Sequence, residues 1–167
     1  MALAHRPNVT LDQVLETNRQ APVLLLEEPA HLGNIGASIR VAAAAGSAAV
    51  ITTGPHDPWD PAALRGSAGL HFAQPVLGST GVPVSNRPLL AIDPEGDVLD
   101  PSTLPANAIL AFGSERRGVS AGLLERADQR LAIPMQPSVS SLNLATAVAV
   151  TLYAWRLSQP RGEKRID

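Results

Sequence analysis

Cysteine is missing from all 167 residues. That one absence excludes disulfides, thiolate zinc sites, iron–sulfur clusters and a cysteine nucleophile. Lysine occurs once, at Lys164, so positive charge is carried almost wholly by arginine. Aromatic residues are 3% of the chain, spread over Trp59, Phe72, Phe112, Tyr153 and Trp155, too sparse in sequence for a base-stacking platform. No apolar run approaches the ~20 residues a membrane helix needs. The start, Met1-Ala2-Leu3-Ala4-His5-Arg6-Pro7, lacks the continuous apolar core of a secretory signal. A soluble, cytoplasmic protein with no membrane partner is the expectation. His5, His31, His56 and His71 form no i, i+4 pair and have no acidic ligand set beside them, so no metal site is expected.

What is present argues for one globular domain. Hydrophobic residues make up 45% of the chain and charged residues 17%, and a chain of this size buries roughly 68–70% of its unfolded surface. The formal net charge is −2, unevenly spread: residues 1–110 carry −5 and residues 111–167 carry +3. The C-terminal third is therefore basic and arginine-rich, and guanidinium forks suit phosphate. The expected organisation is a single domain over 1–167, with a helical segment in 1–20, a charged tail over 159–167 and no separate extension domain.

Short apolar runs alternate with helical patterns. Thr10-Leu11-Asp12-Gln13 reads as a capping box opening a short helix. Val23–Leu26, Ala48–Thr52, Leu89–Ile92, Ala108–Phe112 and Arg130–Ile133 read as buried strands. Asn34–Ala45 is a helix of small residues closed by Gly46. A helical turn at Pro61–Arg65, a helix over about 121–127 and a long apolar helix over Ser141–Leu157 complete the pattern. Strands alternating with helices predict an α/β fold: a mostly parallel sheet with helices on both faces.

Ligands in such sheets bind at the carboxyl ends of strands, and three loops there carry unusual residues. The first runs from Glu27 through Asn34 into the helix bearing Arg40. Asn34 suits an N-cap. Arg40 is the only charge between Glu28 and Asp57 apart from the histidines, so it either has a partner or task, or snorkels from the helix edge. The second loop, Gly113-Ser114-Glu115-Arg116-Arg117-Gly118, lacks the order of a nucleophile elbow and otherwise reads as a solvated turn. In the third, Ile133 to Asn143, two prolines hold the loop open and Ser140 or Ser141 caps the long helix. Capping by serine leaves Asn143 unexplained. No dinucleotide or Walker A glycine pattern occurs.

Together these loops resemble the SpoU/TrmH family of RNA 2′-O-ribose methyltransferases in the SPOUT superfamily. The family's N-x-G-x-x-x-R stands as Asn34-Ile35-Gly36-Ala37-Ser38-Ile39-Arg40, and its G-x-E-x-x-G stands as Gly113 to Gly118. Its I-P-M and S-L-N stand as Ile133-Pro134-Met135 and Ser141-Leu142-Asn143. Arg65-Gly66-Ser67-Ala68-Gly69 is similar to the family's R-x-S-A-G. The resemblance covers about residues 24–156.

The resemblance implies a C-terminal deep trefoil knot and a homodimer whose active site spans the interface. It implies S-adenosyl-L-methionine as cofactor, S-adenosyl-L-homocysteine as product and no metal. The implied cofactor residues are Ile92 or its neighbour, Gly113, Ile133, Met135, Ser141 and Leu142. The implied catalytic residues are Arg40, Glu115, Ser141 and Asn143, with Glu115 orienting Arg40 or substrate. Asn34, Arg116 and Arg117 are the substrate-binding candidates, and tRNA is favoured over rRNA as the RNA partner. Any phosphate track would run through Arg116, Arg117, Arg126, Arg130 and the Arg161–Arg165 tail. The alternatives are a non-catalytic cofactor- or RNA-binding dimer of the same fold, and an unrelated α/β hydrolase or nucleotide-binding domain.

Overall fold

A computed structural model describes residues 5–16 and 20–159. The segments 1–4 and 17–19, and the basic tail from 160 onward with Arg161–Arg165, lie outside the described residues. Six strands form one sheet: β1 (Val23–Leu26), β2 (Ala49–Thr52), β3 (Val76–Gly78), β4 (Leu89–Val98), β5 (Ile109–Phe112) and β6 (Gln129–Ala132). Every pairing is parallel, in the order β3-β2-β1-β5-β4-β6. The helices are α1 (Leu11–Glu16), α2 (Leu32–Ala45), α3 (Pro61–Gly66), α4 (Ala121–Arg126) and α5 (Leu144–Ser158).

The apolar runs became the sheet for a simple reason. Successive strand residues point to opposite faces, and all four residues of β1, β2 and β5 are buried. Both faces of the sheet's centre are therefore covered, which is what a continuous rather than alternating apolar run requires. The strand order reverses between β1 and β5: β2 and β3 build outward on one side, β4 and β6 on the other. That switch point sets the loops after β1 and β5 side by side, with those after β4 and β6 next in line.

The capping box forms as read, with the Thr10 amide donating to Gln13 Oε1 at 2.9 Å and the Gln13 amide to Thr10 Oγ1 at 3.3 Å. Gly46 closes α2 at φ 79°, and the Ser47 amide reaches Ala42 O at 3.0 Å. Four boundaries differ from the sequence reading. α2 starts at Leu32 behind His31, so Asn34 lies inside the first turn instead of capping it. Asn143, not Ser140 or Ser141, caps α5, accepting from the Ala145 and Thr146 amides at 2.9 and 3.3 Å. The strand β3 was hidden among glycines and prolines. β4 does not stop at Ile92: pairing with β6 shifts register between Ile92 and Asp97 and then resumes. A bulge absorbs Pro94, which a regular central strand would not tolerate.

One helix crossing and one turn explain motif residues that look functional in sequence. A Cβ on Gly36 would fall 2.3 Å from Ala63 O and 2.8 Å from Gly66 Cα, so the motif glycine lets α2 and α3 touch backbone to backbone. The Arg65–Gly69 segment is the turn that closes α3. Ser67 is buried there, bonded to Leu64 O at 3.0 Å and to His71 Nδ1 at 2.6 Å, and Ala68 and Gly69 take left-handed conformations. The α5 face formed by Leu144, Val148, Thr151, Leu152 and Trp155 is buried. Val150, Tyr153 and Leu157, spaced i, i+3, i+7, form an exposed apolar stripe.

Gly36→Ala should lower unfolding free energy by about 1–3 kcal/mol, as overpacking at a rigid backbone contact does. An unchanged urea midpoint would show that α2 and α3 can separate freely.

Candidate functional site

The three motif loops are joined by one directed chain of hydrogen bonds. Asn143 Oδ1 accepts from the free amides of the α5 N-terminus, so its amide nitrogen points away and donates to Asn34 Oδ1 at 3.1 Å. Asn34 Nδ2 then donates to Glu115 Oε1 at 2.6 Å. Glu115 Oε2 takes the Ala30 amide at 2.7 Å. Burial raises the Glu115 pKa, but the bonds from Asn34 and Ala30 outweigh it and hold the carboxyl below its usual range. The carboxylate is therefore ionised at neutral pH, as an acceptor-only terminus of the chain must be.

Two further carboxylates fasten the same loops in the reverse direction. Glu27, leaving β1, accepts from the Ser120 amide at 2.8 Å and the Ser120 hydroxyl at 2.5 Å. Glu28 sits at φ 44°, donates its amide to Thr53 Oγ1 at 3.1 Å, and pairs with Arg117 across the gap. The β5 loop is itself closed, with Ser114 and Gly118 exchanging backbone bonds at 3.1 and 2.9 Å.

A cavity of about 330 Å³ lies between the carboxyl ends of β4, β5 and β6 and the start of α5. Ile92, Gly113, Ile133, Met135, Ser141 and Leu142 all line it, as do Glu115 and Arg116. These six are the residues that the family resemblance implied for a cofactor. The wall combines apolar side chains with Ser141 and Glu115, and its size suits a nucleoside-sized ligand. Gly113 differs from expectation in one respect. A Cβ there would lie 1.9 Å from Gly118 C, so the glycine is required by the loop's own closure. Gly113→Val would disrupt that turn before it tested any ligand.

Other nominated residues part company. Arg40 is exposed, has no hydrogen bond or ion pair among the described residues, and does not line the cavity. It lies six residues beyond Asn34, about 9 Å along α2 at the usual helical rise. Within the chain Glu115 makes no contact with Arg40; Ala30 and Asn34 each bond one of its oxygens. Three of the four described members of the expected phosphate track are also engaged within the chain. Arg117 pairs with Glu28, and Arg126 donates to Val82 O and Pro83 O at 3.1 and 2.9 Å. Arg130 pairs with Asp93 and Glu95 at 2.6 and 2.9 Å. Arg116 is the one described member of that track without a partner. The sequence's aromatic scatter is likewise altered by folding: Phe72 packs edge-on against Trp59 at 5.4 Å.

A parallel α/β sheet, a cavity over the ends of β4, β5 and β6, and three polar loops locked beside it define a candidate ligand site next to the topological switch point. Comparison with known proteins gives the family. The model of the SpoU rRNA Methylase family matches residues 21–153, and the chain belongs to that family. It is 33% identical over 167 residues to the 23S rRNA (guanosine(2553)-2′-O)-methyltransferase RlmP of Bacillus subtilis, covering 93% of this chain and 63% of that protein. The SpoU methyltransferase AviRb of Streptomyces viridochromogenes, solved with AdoMet, superposes with a TM-score of 0.78 at 30% identity. That match covers 90% of this chain and 62% of AviRb. A structure described as giving insight into 2-OH methylation of C/U34 on tRNA superposes with a TM-score of 0.73 at 25% identity, covering 84% of this chain and 97% of that one. The chain spans about half to two thirds of the length of its first curated relatives.

Glu115→Gln turns one acceptor toward the Ala30 or Asn34 donor into a second donor. Stability at pH 7 should fall by about 1–3 kcal/mol. Because the folded pKa is depressed, the wild-type advantage is present above the unfolded value near 4.5 and is lost as pH falls through the folded one. Urea melts showing an equal difference at pH 7 and pH 3 would contradict the ionised-acceptor assignment.

Proposed function

We propose that this chain transfers a methyl group from S-adenosyl-L-methionine to a ribose 2′-hydroxyl of RNA, releasing S-adenosyl-L-homocysteine. The observation carrying this reading is the convergence of Ile92, Gly113, Ile133, Met135, Ser141 and Leu142 on one cavity beside the Glu115–Asn34–Asn143 chain. The cofactor, when bound, supplies an electrophilic methyl group on a sulfonium. Ile92, Ile133, Met135 and Leu142 offer an apolar slot for the adenine, and the closed Gly113–Gly118 loop presents a rigid edge beside it. The locked amides of Asn34 and Asn143 hold the three loops in one geometry, which keeps the attacking hydroxyl and the methyl aligned.

A ribose hydroxyl is a weak nucleophile at neutral pH and gains from stabilisation of its developing alkoxide. Arg40 is the candidate for that role: an unpaired guanidinium on a helix whose first turn belongs to the site. Guanidinium is a poor base in water, so it positions and stabilises the oxygen, leaving the proton to solvent or an RNA group. Arg40 lies outside its own chain's cavity, which supports a homodimer in which a second copy completes the site. The exposed Val150–Tyr153–Leu157 stripe on α5 is the surface proposed for that contact. A trefoil knot formed by the segment after β6 is part of the same proposal, supported by the meeting of the β4, β5 and β6 loops around one cavity. Ser141 lines the cavity with no hydrogen-bond partner among the described residues and is left to ligand. Arg116 is proposed to meet RNA phosphate.

A tRNA substrate is favoured, because the tRNA-methylation structure is matched over nearly its whole length. Tritium transfer from labelled cofactor to total tRNA and to rRNA tests this directly. Incorporation into tRNA at a ribose is expected. Incorporation into rRNA alone would reassign the substrate, and none into either would remove the methyltransferase reading.

Arg40→Ala should cut methyl transfer at least ~10²-fold while S-adenosylhomocysteine affinity and sedimentation stay unchanged. Since Arg40 has no partner among the described residues, the variant's melting temperature should also hold. A folded variant with near-normal turnover would end the assignment.

A further inference from the structure

Asp93 leaves β4 just after Ile92 and forms part of the cavity wall, with a relative exposure of 9%. A carboxylate this buried is costly unless every lone pair has a use. Its bonds are distributed unequally. Oδ1 accepts from Arg130 Nε at 2.9 Å, from Arg130 Nη2 at 2.6 Å and from the Glu95 amide at 3.0 Å. Oδ2 accepts from no group among the described residues.

That asymmetry is informative. A guanidinium and a carboxylate paired only for stability ordinarily meet fork to fork, with two parallel bonds to two oxygens. Here both guanidinium nitrogens converge on one oxygen, and Arg130 Nη2 also reaches Glu95 Oε2 at 2.9 Å. The β4 bulge makes this possible by carrying Asp93 and Glu95 out of regular pairing. A Cβ on Gly96 would fall 2.5 Å from the Arg130 backbone, so Gly96 lets β6 approach closely enough to deliver Arg130. Asp93 is thereby gripped by one oxygen while the other stays unspent in a cavity wall.

We infer that Asp93 Oδ2 is the acceptor for the ribose hydroxyls of the adenosyl ligand, with Arg130 as its positioning residue. The inference rests on the proposed cofactor reading. A hydroxyl donor fits better than an ammonium, because Arg130 already balances the Asp93 charge at contact distance and Glu95 is largely exposed to water. What Asp93 still offers is a directed lone pair, the property a vicinal diol uses. Carboxylates at strand ends accept ribose hydroxyls in other open α/β sheets. Arg130 moves accordingly from the expected RNA track to the cofactor side of the molecule.

Calorimetry with three ligands tests this: S-adenosylhomocysteine, 5′-methylthioadenosine, which lacks the amino acid, and 2′,3′-dideoxy-5′-methylthioadenosine, which also lacks both hydroxyls. Unmodified protein should bind methylthioadenosine about 10- to 100-fold more tightly than the dideoxy ligand, the range for one hydrogen bond to a charged group. Asp93→Asn should erase most of that preference, weakening S-adenosylhomocysteine and methylthioadenosine by the same factor and leaving the dideoxy ligand unchanged. The comparison of ligands on unmodified protein stands even if Asp93→Asn folds poorly. Equal affinity of unmodified protein for the two thio-nucleosides would overturn the inference. So would a loss in Asp93→Asn confined to S-adenosylhomocysteine, which would place the amino acid arm at Asp93. If unmodified protein binds none of the three, the cofactor reading itself fails, and this inference with it.

Discussion

The arrangement of the site depends on a single line of hydrogen bonds whose direction is forced at both ends. At one end are the unpaired amides of the α5 N-terminus, which can only donate; at the other is the ionised Glu115, which can only accept. Between them, Asn143 and Asn34 each have one donor and one acceptor end, so both amides must point the same way for every bond to form. Reversing either would set donor against donor. The loops after β1 and β5 and the start of α5 are thus fixed to one another by polarity as well as distance. Three polar residues from three separate motifs form one structural unit.

Charge is redistributed by the same fold. The first two thirds of the chain is acidic and the last third basic, a pattern that suggests two separate electrical surfaces. Folding instead brings Glu28 to Arg117, and Asp93 and Glu95 to Arg130. These pairs consume much of the expected phosphate track and draw together the strand ends around the cavity. The exposed pairs add little to stability in water. Their use lies in holding loop positions, while Arg40 and Arg116 stay uncommitted among the described residues.

Glycine in the motifs has two distinct tasks, both steric. Gly36 permits the backbone contact of α2 with α3, and Gly113 permits the β5 loop to close on Gly118. Neither is in the motif only to admit a ligand. Each makes room for another piece of backbone, which in turn places the polar residue two positions away: Asn34 before Gly36, Glu115 after Gly113.

Much of this protein was legible in the order of its residues. Continuous apolar runs predict central parallel strands because both sheet faces must be covered. Capping boxes and left-handed glycines act within a few positions, so Thr10, Gln13 and Gly46 are readable from their neighbours. The resemblance to the family's motifs named six residues that the fold brings to one set of strand ends. The tertiary structure decided which side chains meet. Glu115 joins Asn34 instead of Arg40, across 81 positions, and Asn34 joins Asn143 across 109. The pairing of Arg130 with Asp93 follows from a bulge that Pro94 and Gly96 disguise as a strand end. Such contacts depend on β5 entering the sheet between β1 and β4, and strand order is set by the packing of the whole sheet, not by any local signal.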